Sequence, residues 1–202
     1  MHQKGRSMVE MLGVLAIIGV LSVGALAGFN QAMFKHKLNR NLEAMTLLIA
    51  NAVQLTQKLE ISDSNLTPML NKVSLISDGL VFKSNKIYDE FQNYYILYSV
   101  SNYAHYGYHF GMKVYLNNNE TSFYTCRNLI LAAASMHSEL DLIRREDTKN
   151  DTRIGTNLYG LRRCRPTSKC LANLTMRDID NFCRIEQSHN DLGYYTFFIL
   201  WD

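Results

Sequence analysis

An α+β architecture, with one long N-terminal helix packed on an antiparallel β-sheet, is predicted by three features of this 202-residue sequence. From Met11 to Phe34 there is no charged residue, and the run from Met11 to Phe29 is almost wholly apolar. Between Phe29 and Thr67 there is neither proline nor glycine, and apolar residues recur every three or four positions. Nearly all the aromatic residues then lie beyond Leu80, in short segments rich in aromatic and β-branched residues and separated by turn residues. With 47% hydrophobic and 19% charged residues, the chain is too apolar for disorder. A formal net charge of +3 is too mild to argue for a nucleic-acid partner, and no basic run is interleaved with aromatics along the chain.

The apolar run comes first. Its 19 residues from Met11 to Phe29, at 1.5 Å per residue, make a helix of about 28 Å, enough to cross a bilayer core. A short head with Lys4, Gly5 and Arg6 precedes it, and Glu10 stands at its mouth. A carboxylate there costs free energy on insertion. Glu10 can lie at headgroup level, complementing the helix N-terminus and pairing with Arg6 one turn earlier. Ala25-Leu26-Ala27 offers a second reading, an A-x-A signal-peptidase site that would release a soluble secreted binding domain. Glu10 beside the apolar core and the unbroken helical pattern past Ala27 count against that reading.

The stretch Gly5-Arg6-Ser7-Met8-Val9-Glu10 followed by Met11-Leu12-Gly13-Val14-Leu15-Ala16-Ile17-Ile18-Gly19-Val20-Leu21 resembles the class III signal of type IV pilins and type II secretion pseudopilins. The resemblance covers about the first 35 residues. It implies that a prepilin peptidase cuts between Gly5 and Arg6, on the cytoplasmic side, leaving the anchor on the mature chain. It also implies N-methylation of Arg6, and a Glu10 that neutralises the N-terminus of a neighbouring subunit in the filament core. Arg6 departs from the family, whose mature chains usually begin with phenylalanine or another apolar residue. Charge counting alone, with Lys35, Lys37 and Arg40 beyond the run, slightly favours the opposite topology. The resemblance sets the N-terminus in the cytoplasm.

Four regions follow: a leader over 1–5, a transmembrane and filament-core helix over 6–30, its amphipathic continuation over 31–60, and a globular α+β domain with disulfides over 61–202. The continuous helix is predicted from about Ser7 to Leu59, about 80 Å long. Its stripe of Phe34, Leu38, Leu42, Met45, Ile49, Ala52 and Leu59 seats the body. Gly24 and Gly28 form a G-x-x-x-G pair that permits close helix approach. Together with Gly19 they mark the softest part of the membrane half, since each glycine weakens a helix by about 1 kcal/mol relative to alanine.

In the body, strands are predicted over Leu80 to Phe82, Tyr94 to Val100, Tyr106 to Leu116 and Tyr194 to Trp201. Ser62 to Asn65 with Pro68 reads as a turn or loop, as does Asn117-Asn118-Asn119. Thr121 or Ser122 caps a second helix that runs to about Arg145. Asn150 to Arg163 is expected to be a polar loop, and Thr175 with Asp178 to form a capping box.

Cys126, Cys164, Cys170 and Cys183 suit disulfides in an oxidising compartment, in any of three pairings. A bond from Cys183 that ties the last helix to the sheet is the expected one. There is no C-x-x-C pair, so a metal site is not expected. His105 and His109 lack a third ligand and read as strand histidines. No phosphate loop, H-E-x-x-H or G-x-S-x-G occurs, so neither catalysis nor a cofactor is expected. The four N-x-T sequons, from Asn65, Asn119, Asn150 and Asn173, read as chance.

The expected function is therefore assembly: a type IV pilus subunit for adhesion, motility or uptake. It is held in the bacterial inner membrane and then polymerised into an extracellular filament. Its partners would be prepilin peptidase, the inner-membrane assembly machinery and copies of itself, with no specific nucleic acid. A pseudopilin of a secretion or DNA-uptake system, in a periplasmic pseudopilus, shares every N-terminal feature.

Overall fold

The computed structural model describes residues 8–59, 64–99, 110–149, 152–184 and 194–202. The chain divides into two compact units, Met1–Lys37 and Leu38–Asp202. Helix α1 (Met8–Thr56) begins and ends within a few residues of expectation.

The second unit is built on an antiparallel sheet. After α1 come β1 (Ser64–Asn65), α2 (Thr67–Lys72), β2 (Val81–Lys83), β3 (Lys86–Tyr88), β4 (Tyr94–Ser99) and β5 (Phe110–Asn117). Then follow α3 (Ser122–Ser135), β6 (Leu142–Lys149), β7 (Thr152–Tyr159), α4 (Met176–Cys183) and β8 (Tyr194–Trp201). The strands lie in the order β2-β3-β4-β5-β8-β6-β7, with β1 paired to the far end of β4. Strand β8 therefore enters between β5 and β6, and its aromatic inner residues become the middle of the core.

Alternation along the strands sorts side chains to two faces. Tyr95 and Leu97 of β4, Met112, Val114 and Leu116 of β5, and Phe197, Ile199 and Trp201 of β8 point inward. They meet Met45, Leu48, Ile49, Ala52 and Val53 of α1, with Leu129, Ile130 and Ala133 of α3 and Ile179 and Phe182 of α4. The buried positions of α1 from Asn41 to Thr56 recur at three and four residues, the period of one helix face. A smaller cluster of Tyr98, Leu142, Phe198 and Leu200 lies on the opposite face, where the Tyr98 ring crosses Gly111 to reach Leu200.

Several expectations are corrected. The second helix stops at Ser135, and the residues from Leu142 onward form β6 instead of continuing it. The exposed side of β8 supplies the reason: Ile143 opposite Ile199 and Leu142 opposite Leu200 satisfy both faces of a strand. The polar stretch expected as a loop is largely β7, whose Thr152–Tyr159 backbone pairs with all of β6. Its polar residues suit an edge. The turn around Pro68 contains helix α2, with proline in the first turn where no backbone N–H is needed. Thr121 and Ser122 do not cap α3 with their side chains. Asn119 Oδ1 instead accepts from Thr121 N at 2.9 Å. The capping box of Thr175 and Asp178 is present in full. The four expected strands correspond to β2, β4, β5 and β8; β5 begins at Phe110, and residues 106–109, like Val100, lie outside the described residues.

The disulfides are Cys126–Cys183 and Cys164–Cys170. The expected bond from Cys183 to the sheet is thus a bond between α3 and α4. The adjacent Phe182 makes the sheet contact, with its ring 6.1 Å from that of Phe197, which leaves Cys183 on the α3 side. Arg127 Nε and Asp180 Oδ1, 3.1 Å apart, join the same two helices. By loop-closure entropy the 57-residue separation corresponds to about 4 kcal/mol and the six-residue one to about 2 kcal/mol.

Where β7 ends, Gly160 passes so close to the chain after α3 that an added Cβ would stand 1.6 Å from the Leu140 carbonyl oxygen. Backbone cannot yield as a side chain does. Gly160→Ala is expected to destabilise the body by at least about 1–3 kcal/mol, read as a lowered midpoint in thermal unfolding. Gly111→Ala, which meets only side chains, should cost less.

Candidate functional site

Of the residues singled out for assembly, Glu10, Gly19, Gly24 and Gly28 lie on α1, whose two parts have different surroundings. Every residue from 10 to 33 is exposed. Leu12, Leu15, Ile17, Leu21, Val23 and Leu26 each keep more than 60% of their surface open, and they fall on all sides of the helix. Among the described residues, one helix is long and apolar enough to cross a membrane, and the window that qualifies is 0% buried. Within it, the hydroxyl of Ser22 donates to the Ile18 carbonyl at 2.7 Å, so this polar side chain is satisfied by its own helix. The segment therefore needs no water for its backbone or its serine.

Glu10 lies exposed in the first turn of α1, where a carboxylate complements the helix dipole. Gly5 and Arg6 lie outside the described residues. The helix runs unbroken through Gly19, Gly24 and Gly28, and among the described residues nothing beyond the glycine's chain neighbours and the adjacent helix backbone comes within 4 Å of where a Cβ would stand. No close helix approach among the described residues uses them. Ala27 likewise lies inside the continuous helix.

From Leu38 onward the helix is gripped by polar contacts as well as apolar ones. Asn128 of α3 donates to the Leu38 carbonyl at 2.7 Å and to Asn41 Oδ1 at 3.1 Å. Ser77 Oγ reaches the Ala44 carbonyl at 3.0 Å, and Asn51 reaches the Leu75 carbonyl at 2.7 Å. At the end of the helix, Trp201 Nε1 donates to Thr56 Oγ1 at 2.8 Å. These bonds fix both rotation and axial position, which a greasy stripe alone does not.

At the centre of this seat is the Asp89 carboxylate, in the turn after β3 and only 4% exposed. It accepts from Asn41 Nδ2, Phe91 N, Asn93 N and Asn93 Nδ2, all at 2.9 Å, and from Tyr95 Oη at 2.8 Å. Asn93 Oδ1 in turn accepts from Asn117 N at 2.9 Å, which ties the end of β5 to the same turn. Burial pushes the Asp89 carboxyl above its ordinary value, with the Asn93 and Tyr95 hydrogen bonds opposing. The Tyr95 phenol is held far above its own, first by burial and then by the adjacent carboxylate. Sequence reading missed this hub. The spacing Asp89, Asn93, Tyr95 is a local signal, but Asn41 is 48 residues away.

A second polar region surrounds the Cys164–Cys170 loop. Lys169 pairs with Asp178, and Arg162 Nε lies 3.2 Å from Asp141 Oδ1. Hydrogen bonds from Lys169 and Thr175 hold the Asp178 carboxyl well below the usual range. The Lys169 carbonyl accepts from Tyr159 N at 2.9 Å, so the loop covers the end of the β7 edge. No cluster of metal-ligating side chains occurs among the described residues. Two of the sequons serve as turns: Asn65 Oδ1 accepts from Thr67 N and Asn119 Oδ1 from Thr121 N, each at 2.9 Å.

No protein-family model, curated protein or solved structure matches this chain.

Removing the Asp89 carboxylate strands five donors, four of them buried. Asp89→Ala is expected to destabilise the body by about 3–5 kcal/mol, measured by chemical unfolding. Asp89→Asn should cost less. Because the native carboxyl ionises above the unfolded one, its stabilising contribution is complete below the unfolded value of about 3.9 and is lost as pH rises through the native value. The stability of the unsubstituted protein relative to Asp89→Asn should therefore fall as pH rises through that window. A difference that rises instead would contradict the assigned direction.

Proposed function

We propose that this chain is the structural subunit of a type IV pilus. On this reading it is inserted in the bacterial inner membrane by the first part of α1, cut after Gly5, and polymerised through the same segment. The observation that carries the reading is the abrupt change along one helix. Residues 10–33 are uncharged apart from Glu10 and exposed on every side, whereas from Asn41 the helix buries one face against a body of its own. Apolar surface of that extent needs a partner, and a lipid bilayer before assembly and neighbouring copies afterwards both supply one.

Glu10 supports the same reading. In a bundle of such helices, an unpaired carboxylate is costly and a paired one fixes axial register. The new ammonium group at position 6 of a neighbouring copy is its proposed counter-ion. Gly19, Gly24 and Gly28, bare within the chain, have their use at contacts between copies. Release of a soluble domain after Ala27 is less well supported, because that site lies within an unbroken helix whose next four turns lead directly into the seat. Two disulfides fit a body that faces an oxidising compartment.

Mass analysis of the mature chain is expected to give Arg6 as the first residue, and a chain beginning at Gly28 would overturn the proposal. Gly5→Leu should leave uncut precursor in the membrane fraction. Glu10→Ala should insert and be cut normally, yet yield at least tenfold fewer filaments by electron microscopy and shearing.

A further inference from the structure

The outer face of the sheet, turned away from the helices, brings together residues that are far apart in sequence. Register places Ile96 opposite Lys113, Lys113 opposite Phe198, and Phe198 opposite Arg144. Lys86 of β3 points to the same face, with its Nζ 4.1 Å from the centre of the Tyr94 ring, and Lys83 pairs with it across the β2–β3 hairpin. Lys86, Lys113 and Arg144 stand on strands two positions apart, so they repeat at about 10 Å across the sheet. Against these four cations the described residues of this face set one carboxylate, Glu146. None of the four has an ion-pair partner among the described residues, and Arg144 Nε is buried with no hydrogen-bond partner.

The neighbouring aromatic rings narrow the ligand class. Tyr94 and Tyr115 stack on each other at 4.3 Å and 15°, while Lys86 covers the other side of Tyr94. Adjacent strands are about 4.8 Å apart, so rings stacked across them stand upright. Both faces of Tyr94 are therefore occupied and offer no platform for a base. Lys113 likewise lies across Tyr98 and Phe198, 5.3 and 5.4 Å from their centres. Such contacts hold the ammonium groups in place without neutralising them. A single-stranded nucleic acid needs open ring faces as well as charge. A polymer that brings spaced negative charges and hydroxyls, but no flat rings, does not.

We propose that the outer sheet face, through Lys83, Lys86, Lys113 and Arg144, binds a linear acidic polysaccharide laid across the strands. This surface belongs to the body and is independent of what α1 does.

The test uses the full-length chain in non-ionic detergent, with an alginate oligomer as probe, a dextran of equal length as neutral control and a thymidine oligonucleotide as competitor class. Alginate is expected to bind while dextran does not, and its affinity should fall steadily as salt rises from 20 to about 200 mM, within the range where screening acts. Lys86→Gln with Lys113→Gln should weaken binding at least tenfold, whereas Lys113→Arg should keep it and Glu146→Gln should tighten it two- to fivefold. An unfolding midpoint for the double variant near that of the unsubstituted chain excludes misfolding as the cause. Unchanged binding in that variant, dextran binding as well as alginate, or oligonucleotide binding ten times tighter than alginate would each overturn the assignment.

Discussion

The seating of α1 through the Asp89 carboxylate is the constraint on which the rest of the body depends. A helix that lies on a sheet by an apolar stripe alone can slide by a turn, because one aliphatic side chain replaces another at little cost. Five donors converging on one buried carboxylate do not allow that. Asn41 is one of them, and Asn128 grips the same turn of the helix from α3. The turn before β4, the end of β5, α1 and α3 are thereby fixed to a common point. Burial of the carboxylate is unfavourable in itself, as its raised ionisation shows. Its contribution is positional, and the apolar core around it supplies the stability.

The position of the hub matters for what precedes it. The Leu38 carbonyl accepts from Asn128, and the boundary between the two compact units falls just before Leu38. Leu38 and Asn41 open the series of polar restraints on α1 within the second unit. The remaining restraints follow along the helix, from Ser77 and Leu75 to Trp201 at Thr56. Trp201 lies in β8, the strand inserted between β5 and β6, so the first and last elements of the chain close on each other. Neither disulfide involves α1. Cys126–Cys183 ties α4 to α3, and Cys164–Cys170 shapes the loop that covers the end of β7.

Much of the architecture was legible in the sequence where one local pattern decided the outcome. The long helix follows from an apolar run joined without a break to a three-four repeat, and β4, β5 and β8 follow from aromatic and β-branched segments. The capping box at Thr175 and Asp178 is purely local and is present. Reading failed where partners outvoted local preference. Leu142–Lys149 and Thr152–Tyr159 carry too many charged and polar residues to look like strands, yet the open side of β8 recruits the first, and the first recruits the second. Nothing near Asp89 in the sequence indicated its bond to Asn41.

By itself, the sequence determined that this chain carries an almost wholly apolar, uncharged helical segment with a single carboxylate at its mouth, because side-chain hydrophobicity and the absence of charge do not depend on neighbours. It also determined that four cysteines were available to pair. The tertiary structure decided which of them pair, because a bond requires two β-carbons brought together by helices α3 and α4. It decided too that Lys86, Lys113 and Arg144, spread over 59 positions, share one row on the outer face. Strand register made that row, and register is set by the burial of the opposite face.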